Sequence, residues 1–347
     1  MDVSKNTIKS VILNDFRLQS GVVMPSIKIA YRTEGRLSSN HDNVVLVTHG
    51  NTSGPSMLDT GAPTGEGTWS TVVGPGKAID TDRYFVICPN MLGSSYGSTN
   101  AASIDPATGK AYGPRFPDIT VGDIVASQRK LLDHLDIPKL VAIAGPSYGG
   151  MQGFQWAVDY PDDLKGLVAV VTAPFIPRPL AKLNFGRLIK TLSRDPNWNG
   201  GDYYDRGGVL ETLIGIRIRT LKIYGVAERL RDTISDEEGV ERAIRASATR
   251  WAQEFDANSL IILAKALIGY NTILRFRRIK AKTLYVLSRT DKIFRPVFAL
   301  PTMSALKLSG VDAGYFKIDS KYGHMASGED GADKWTPRLR QFLSSLE

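Results

Sequence analysis

The chain has 347 residues, 42% hydrophobic and 22% charged, an ordinary globular composition with enough apolar material for one large α/β domain with an insertion, or two domains. Its net charge of +8 comes without a nucleic-acid motif, so the basic excess argues only for anionic substrates such as coenzyme A thioesters. The single cysteine, Cys88, excludes an intrachain disulfide. Met1 to Lys5 lacks an apolar signal segment, and no run approaches the roughly 18 apolar residues of a membrane span. The expectation is a soluble, cytoplasmic protein acting on a small molecule, with no nucleic-acid, membrane or metal partner.

In chain order, Val11 to Leu18 and Ile27 to Glu34 alternate as an antiparallel strand pair. Val44 to Val47 is a buried strand running into the glycine-rich turn His49-Gly50-Asn51-Thr52-Ser53-Gly54. A long loop with Gly61, Gly65, Gly67, Gly74 and Gly76 follows, and loops this long in a compact chain are usually functional. Tyr84 to Cys88 is the next strand, with Cys88 read as packing. Asn90 to Pro117 is a polar loop, and Ile124 to Leu135 an amphipathic helix. Leu140 to Ala144 and Leu167 to Val171 read as buried strands, with a helix over Gln152 to Tyr160 between them. Residues 175–274 then break the alternation. They are mostly helical in pattern, with amphipathic stretches at Asp236 to Phe255 and Ser259 to Ile268, and are read as a helical cap inserted into a core of residues 1–174 and 275–347. Basic residues cluster in Arg275 to Lys282, read as a solvated face beside a strand. Thr283 to Leu287 resumes the core, followed by a helix at Val297 to Leu308, a strand at Gly314 to Ile318 and a helix at Lys334 to Leu346.

The chemistry is concentrated at Gly145-Pro146-Ser147-Tyr148-Gly149-Gly150. Gly-x-Ser-x-Gly alone recurs by chance in loops, but between a buried strand and a helix it has the form of a nucleophile elbow. A serine on so tight a turn leaves little room for side chains two residues before and after it, and glycine fits both places. The turn lifts the Ser147 hydroxyl above the sheet edge. It also puts the Tyr148 N–H at a helix start, aimed where an oxyanion forms.

A serine hydroxyl barely ionises at neutral pH and needs a base, which in turn needs an acid. Strand Thr283–Leu287 ends in Ser288-Arg289-Thr290-Asp291, where an open α/β sheet places functional groups. Strand Gly314–Ile318 leads to Gly323-His324, one of only four histidines. The order Ser147, Asp291, His324 is that of an α/β hydrolase. Asp319 is the alternative acid, and Asp291 has the alternative role of capping the next helix. The second oxyanion donor should come from the loop after the first buried parallel strand, through the Asn51 N–H or that of Gly50. His49 is read either as a structural histidine bonding that loop or as a substrate contact; His41 and His134 look incidental.

Several longer segments resemble the homoserine O-acetyltransferase family of α/β-hydrolase-fold enzymes: Gly74 to Phe85, Asn90 to Thr99, Ile104 to Lys110, Gly145 to Gln152, Asp195 to Trp198 and Phe255 to Ser259. The resemblance implies an α/β-hydrolase fold, a mostly parallel sheet flanked by helices with a helical cap. It also implies double-displacement transfer: acetyl-CoA, or another acyl-CoA, serves as co-substrate without a bound cofactor and acylates Ser147, and an acceptor hydroxyl then takes the acyl group. The family's triad falls on Ser147, Asp291 and His324. Its cap arginine, which holds the acceptor's carboxylate, falls on Arg217; an arginine on a helix surface is the other reading of that residue. Dimers are common in the family, which implies a homodimer.

Two positions depart from the family pattern. His49-Gly50-Asn51 stands where transacetylases usually carry His-Ala-Leu, and His-Gly is commoner in hydrolases of this fold. Met325 stands where an aspartate usually follows the catalytic histidine, near the acceptor's amino group. Three functions therefore compete: acyl transfer, hydrolysis of a small acyl substrate, and a catalytically dead binding protein on the same fold.

Overall fold

The structure, a computed structural model, describes residues 8–62, 68–328 and 331–346. Residues 1–7, which include the start weighed above for a signal segment, lie outside this range, as do Gly65 and Gly67. The strands are β1 (Lys9–Arg17), β2 (Val23–Glu34), β3 (Val44–Val47), β4 (Val73–Gly74), β5 (Ile79–Asp80), β6 (Phe85–Pro89), β7 (Leu140–Pro146), β8 (Leu164–Val170), β9 (Lys282–Ser288) and β10 (Ala313–Ile318). Eight of them form one sheet in the order β1-β2-β6-β3-β7-β8-β9-β10, while β4 and β5 pair separately. β1 and β2 are antiparallel to their neighbours; from β6 to β10 every pairing is parallel.

The apolar runs explain this arrangement. Every residue of β3 and β7 is buried, as expected of parallel strands covered on both faces. Alternate side chains go to opposite faces. Leu46 and Ile143 join a core with Ile124 and Phe154, on helices α1 (Val121–His134) and α2 (Tyr148–Asp159). Val45, Val47, Ala142 and Ala144 face the other way, against Trp335, Leu339 and Phe342, of which the last two lie on α9 (Thr336–Ser344). Among the described residues no helix is long and apolar enough to cross a membrane.

Between β8 and β9 the chain is helical: α3 (Arg178–Leu192), α4 (Leu210–Tyr224), α5 (Val226–Leu230), α6 (Glu237–Glu254) and α7 (Ala257–Ala266). Asp236 and Asp256 cap α6 and α7 by accepting from the Gly239 and Ser259 N–H groups. The two ends of this segment meet. Phe175 bridges to Asn271, and the Thr272 N–H donates to the Pro174 carbonyl at 2.9 Å. The helix α8 (Ala299–Leu308) precedes β10.

The basic tract after the segment is not simply solvated. Arg275 pairs with Asp159 at 2.6 Å, Lys280 with Asp162 at 2.7 Å and Lys282 with Asp312 at 3.8 Å. Cys88 is fully buried, and burial pushes its thiol up, so it stays protonated and inert.

Candidate active site

The C-terminal ends of β3, β7, β9 and β10 deliver His49 to Asn51, Ser147, Asp291 and His324 to one edge of the sheet. Ser147 sits between β7 and α2 at φ 56°, ψ −122°, a strained conformation for a residue with a side chain. The strain is held on three sides. Its N–H donates to the Val170 carbonyl at 2.9 Å, and its carbonyl accepts from the Thr172 hydroxyl at 2.6 Å and the Met151 N–H at 3.2 Å. Thr172 is fixed in turn by the Tyr285 hydroxyl, which donates to its carbonyl at 2.7 Å. Helix α2 begins at Tyr148, four residues before the expected Gln152, so the positive end of its dipole lies directly behind the serine.

The glycines of the motif are explained by Thr48, the residue that leaves β3. A Cβ on Gly145 would collide with the Thr48 hydroxyl and carbonyl, and a Cβ on Gly149 with the Thr48 carbonyl. The Thr48 hydroxyl donates to the Gly149 carbonyl at 2.9 Å. Close approach of the loop after β3 to the elbow thus requires glycine at both places. Gly149→Ala, which pushes against backbone, is expected to cost about 1–3 kcal/mol of stability. Urea denaturation would show it as a lower midpoint at unchanged slope.

Asp291 and His324 are both fully buried, with Oδ2 2.7 Å from Nδ1. The other carboxylate oxygen accepts from the Ile293 N–H at 2.7 Å and the Phe294 N–H at 3.2 Å. The Thr290 hydroxyl joins the two loops, donating to the Ser320 carbonyl and accepting from the Gly323 N–H. Asp319, the alternative acid, points elsewhere: it is exposed and paired with Arg289 at 2.5 Å. Tyr224 packs its ring 4.6 Å from the His324 ring, and Phe294 lies 5.7 Å away on centroids. Met325 is buried beside them in the turn Gly323–Ser327.

His49 is fully buried, with Nδ1 bonded to the Gly50 carbonyl at 2.8 Å and Nε2 accepting from the Met91 N–H at 3.1 Å. A carbonyl only accepts and an amide N–H only donates, so these partners require the neutral ring with its proton on Nδ1. This is the structural reading of His49, and it shapes the loop that carries Gly50 and Asn51. Gly50 is buried and Asn51 half-buried; among the described residues the buried Oδ1 of Asn51 has no hydrogen-bond partner.

Arg217 is not a surface arginine. It is 1% exposed, its Nη1 donates to the Thr52 hydroxyl at 2.7 Å, and its guanidinium lies 4.7 Å from the centroid of the Trp251 ring. The Trp251 indole N–H donates to the Thr52 carbonyl at 3.0 Å. Helices α4 and α6 therefore grip the residue just after Asn51, and the end of α4 brings Tyr224 to His324. Thr52, Trp251, Tyr224 and Phe294 escaped the sequence reading. Trp251 shows there only as one of the apolar positions of an amphipathic helix, and nothing local says what it touches.

Comparisons with known proteins agree with this geometry. The family described as alpha/beta hydrolase fold matches residues 43–330. Homoserine O-acetyltransferase of Deferribacter desulfuricans is 35% identical over 96% of this chain and 94% of its own length. The Haemophilus influenzae enzyme of the same name is also 35% identical, over 97% and 99%. Among solved structures, homoserine O-acetyltransferase from Bacillus anthracis superposes with a TM-score of 0.85 at 26% identity, covering 97% of both chains. Esterase E22 gives 0.85 at 26%, covering 97% of this chain and 100% of that one. With likeness running nearly end to end in sequence and structure, the chain belongs to the α/β-hydrolase fold family and, within it, to the homoserine O-acetyltransferase family.

Proposed function

We propose that the protein is a serine acyltransferase working through an acyl-Ser147 intermediate, with acetyl-CoA or another acyl-CoA as donor and a small hydroxyl compound as acceptor. The observation that carries the reading is the buried Asp291–His324 pair at 2.7 Å, set on the sheet edge that also carries the strained Ser147. In this reading the Ser147 hydroxyl attacks the thioester carbonyl and passes its proton to His324 Nε2, while Asp291 holds the Nδ1–H and steadies the imidazolium. The Tyr148 and Asn51 N–H groups receive the oxyanion. Collapse expels the coenzyme A thiolate, which takes the proton from His324 and leaves as the thiol. The acceptor hydroxyl then repeats the sequence in reverse. Residues 1–174 and 275–347 form the core that carries this chemistry. Residues 175–274, whose two ends meet at Phe175 and Asn271, form the cap over Ser147. The cytoplasm, where such soluble substrates occur, is the compartment this reading implies, and a homodimer is its assembly.

Arg217 supplies a buried cation for an anionic group on the acceptor, and Met325 an apolar, adaptable wall. A hydrolytic variant of the same chemistry, with water as acceptor, is favoured by Gly50, by Met325 and by the likeness to esterase E22. Burst kinetics with p-nitrophenyl acetate, with and without amino-alcohol acceptors, separates the two. A burst whose decay is accelerated by an acceptor means transfer, and one indifferent to all of them means hydrolysis.

Met325 also sets the acceptor. A thioether cannot pair with a substrate ammonium, and a lost charge-assisted hydrogen bond costs roughly 1.5–3 kcal/mol, about one to two decades in specificity. Homoserine is therefore expected to be a poor acceptor, with kcat/KM below ~10⁴ M⁻¹s⁻¹, beaten by an alcohol without an ammonium group or by water. Met325→Asp should raise that constant about 10- to 100-fold. Steady-state kinetics with acetyl-CoA and homoserine checks both, and a wild-type constant at or above ~10⁴ M⁻¹s⁻¹ would show that Met325 does not govern acceptor choice.

A further inference from the structure

A file of buried polar groups runs beneath the oxyanion loop. The Trp156 indole N–H on α2 donates to Gln128 Oε1 on α1 at 2.8 Å. Gln128 Nε2 donates to Gln152 Oε1 at 2.5 Å. Gln152 Nε2 then reaches the His49 carbonyl at 3.1 Å and the Tyr148 carbonyl at 3.4 Å. Trp156, Gln128, Gln152 and His49 are all fully buried.

The direction of every bond is set by chemistry. An indole N–H can only donate, so Gln128 must turn its oxygen to Trp156 and its NH₂ to Gln152. Gln152 must then present its oxygen to Gln128 and both amide hydrogens to the two carbonyls. Reversing either amide would set donor against donor. Three polar side chains buried between α1 and α2 are costly unless every group is satisfied, and an apolar contact at these positions would hold the helices without them. What they add lies at the far end of the file. The His49 carbonyl belongs to the loop that carries the Asn51 N–H, and the Tyr148 carbonyl to the residue whose N–H faces the oxyanion. One carboxamide holds both.

We propose that Gln152 is the positioning residue of the oxyanion hole, fixing the spacing of the Asn51 and Tyr148 N–H groups through the His49 and Tyr148 carbonyls, with Gln128 and Trp156 locking its amide in the donating orientation. This rests on the acyl-serine reading above. His49 holds the same loop from its other side through Gly50 and Met91, so loss of Gln152 shifts the loop rather than unfolding it. Removing one oxyanion donor costs about 10²–10³ in turnover; displacing one should cost somewhat less.

The test uses Gln152→Met, similar in volume but without hydrogen bonds, and Gln128→Met, which frees the Gln152 amide to turn. Three quantities are measured: kcat/KM with p-nitrophenyl acetate, Ki of a trifluoromethyl ketone, and Kd of acetyl-CoA in a Ser147→Ala background. The ketone takes the Ser147 oxygen on its carbonyl carbon, its carbonyl oxygen becomes the oxyanion, and the hydroxyl proton goes to His324. Gln152→Met is expected to lower kcat/KM and raise Ki together by about 10- to 100-fold, with the acetyl-CoA Kd unchanged. Gln128→Met should move both in the same direction by less, and it carries the test if Gln152→Met does not fold. Undiminished ketone affinity in the folded variants would overturn the inference. So would an acetyl-CoA Kd that weakens in step with Ki, which marks general disruption. A wild-type protein that forms no ketone adduct would overturn the acyl-serine reading itself.

Discussion

Replacing Ser147 by alanine is expected to lower turnover at least ~10³-fold while leaving the fold intact. The substitution removes one oxygen from a residue that is 6% exposed, and the bonds that hold the elbow, to Val170, Thr172 and Met151, all run through its backbone. Labelling by a fluorophosphonate probe should vanish with the activity. His324→Ala should lose at least ~10³-fold as well, and the double variant should be little worse than either single one, because serine and base act as a unit. His324→Ala also strips a partner from a buried carboxylate, so its stability should fall where that of Ser147→Ala does not. Near-normal turnover in Ser147→Ala would dispose of the acyl-serine reading, and a wild type that never labels would favour a binding protein on this fold.

Asp291→Asn is expected to be nearly as damaging, about 10⁴-fold in turnover, and the local geometry says why. The Ile293 and Phe294 N–H groups both point at Oδ1. An asparagine there must keep its oxygen facing them, which turns its NH₂ toward His324. Nδ1 then becomes an acceptor, the ring proton moves to Nε2, and the base can no longer take the serine proton. Asp319→Asn provides the contrast. Asp319 is exposed, and a surface ion pair such as that with Arg289 contributes about 0–1 kcal/mol, so turnover should stay within about twofold of wild type. A severe loss in Asp319→Asn with little in Asp291→Asn would reverse the assignment of the acid.

The parts of the site that local sequence determines were legible. Strands β3, β7 and β9 appear as short apolar runs because they are buried on both faces, and the residues just past their ends could be counted off. The start of α2 was not legible, because Gly149 and Gly150 weaken any helix pattern and are demanded instead by Thr48 and Thr172, just past the ends of β3 and β8. The two-residue strands β4 and β5 are too short for periodicity to reveal. Arg217 illustrates the larger gap: on α4 it reads equally as a surface arginine. Only the packing of α4 and α6 on the loop after β3 shows it buried, between a hydroxyl and an indole far away in the chain. The same holds for the Gln152 amide. Its residue type is plain in the sequence, while its role depends on the His49 carbonyl that the loop after β3 brings beside the Tyr148 carbonyl of its own helix.

The position of the helical segment between β8 and β9 has a consequence for timing. Ser147 and its elbow leave the ribosome well before Asp291 and His324, with all of α3 to α7 in between. The nascent N-terminal part can pair β7 with β8, but β9 must cross that whole segment to dock beside β8, and such non-local parallel pairing is slow. In the acyl-serine reading the serine has no proton acceptor until β9 docks, so a half-made chain would not consume acyl donors. A break at the exposed Gly207 would divide the molecule in the same way, leaving Ser147 on one fragment and Asp291 and His324 on the other. Reactivity would then report the reunion of the two halves.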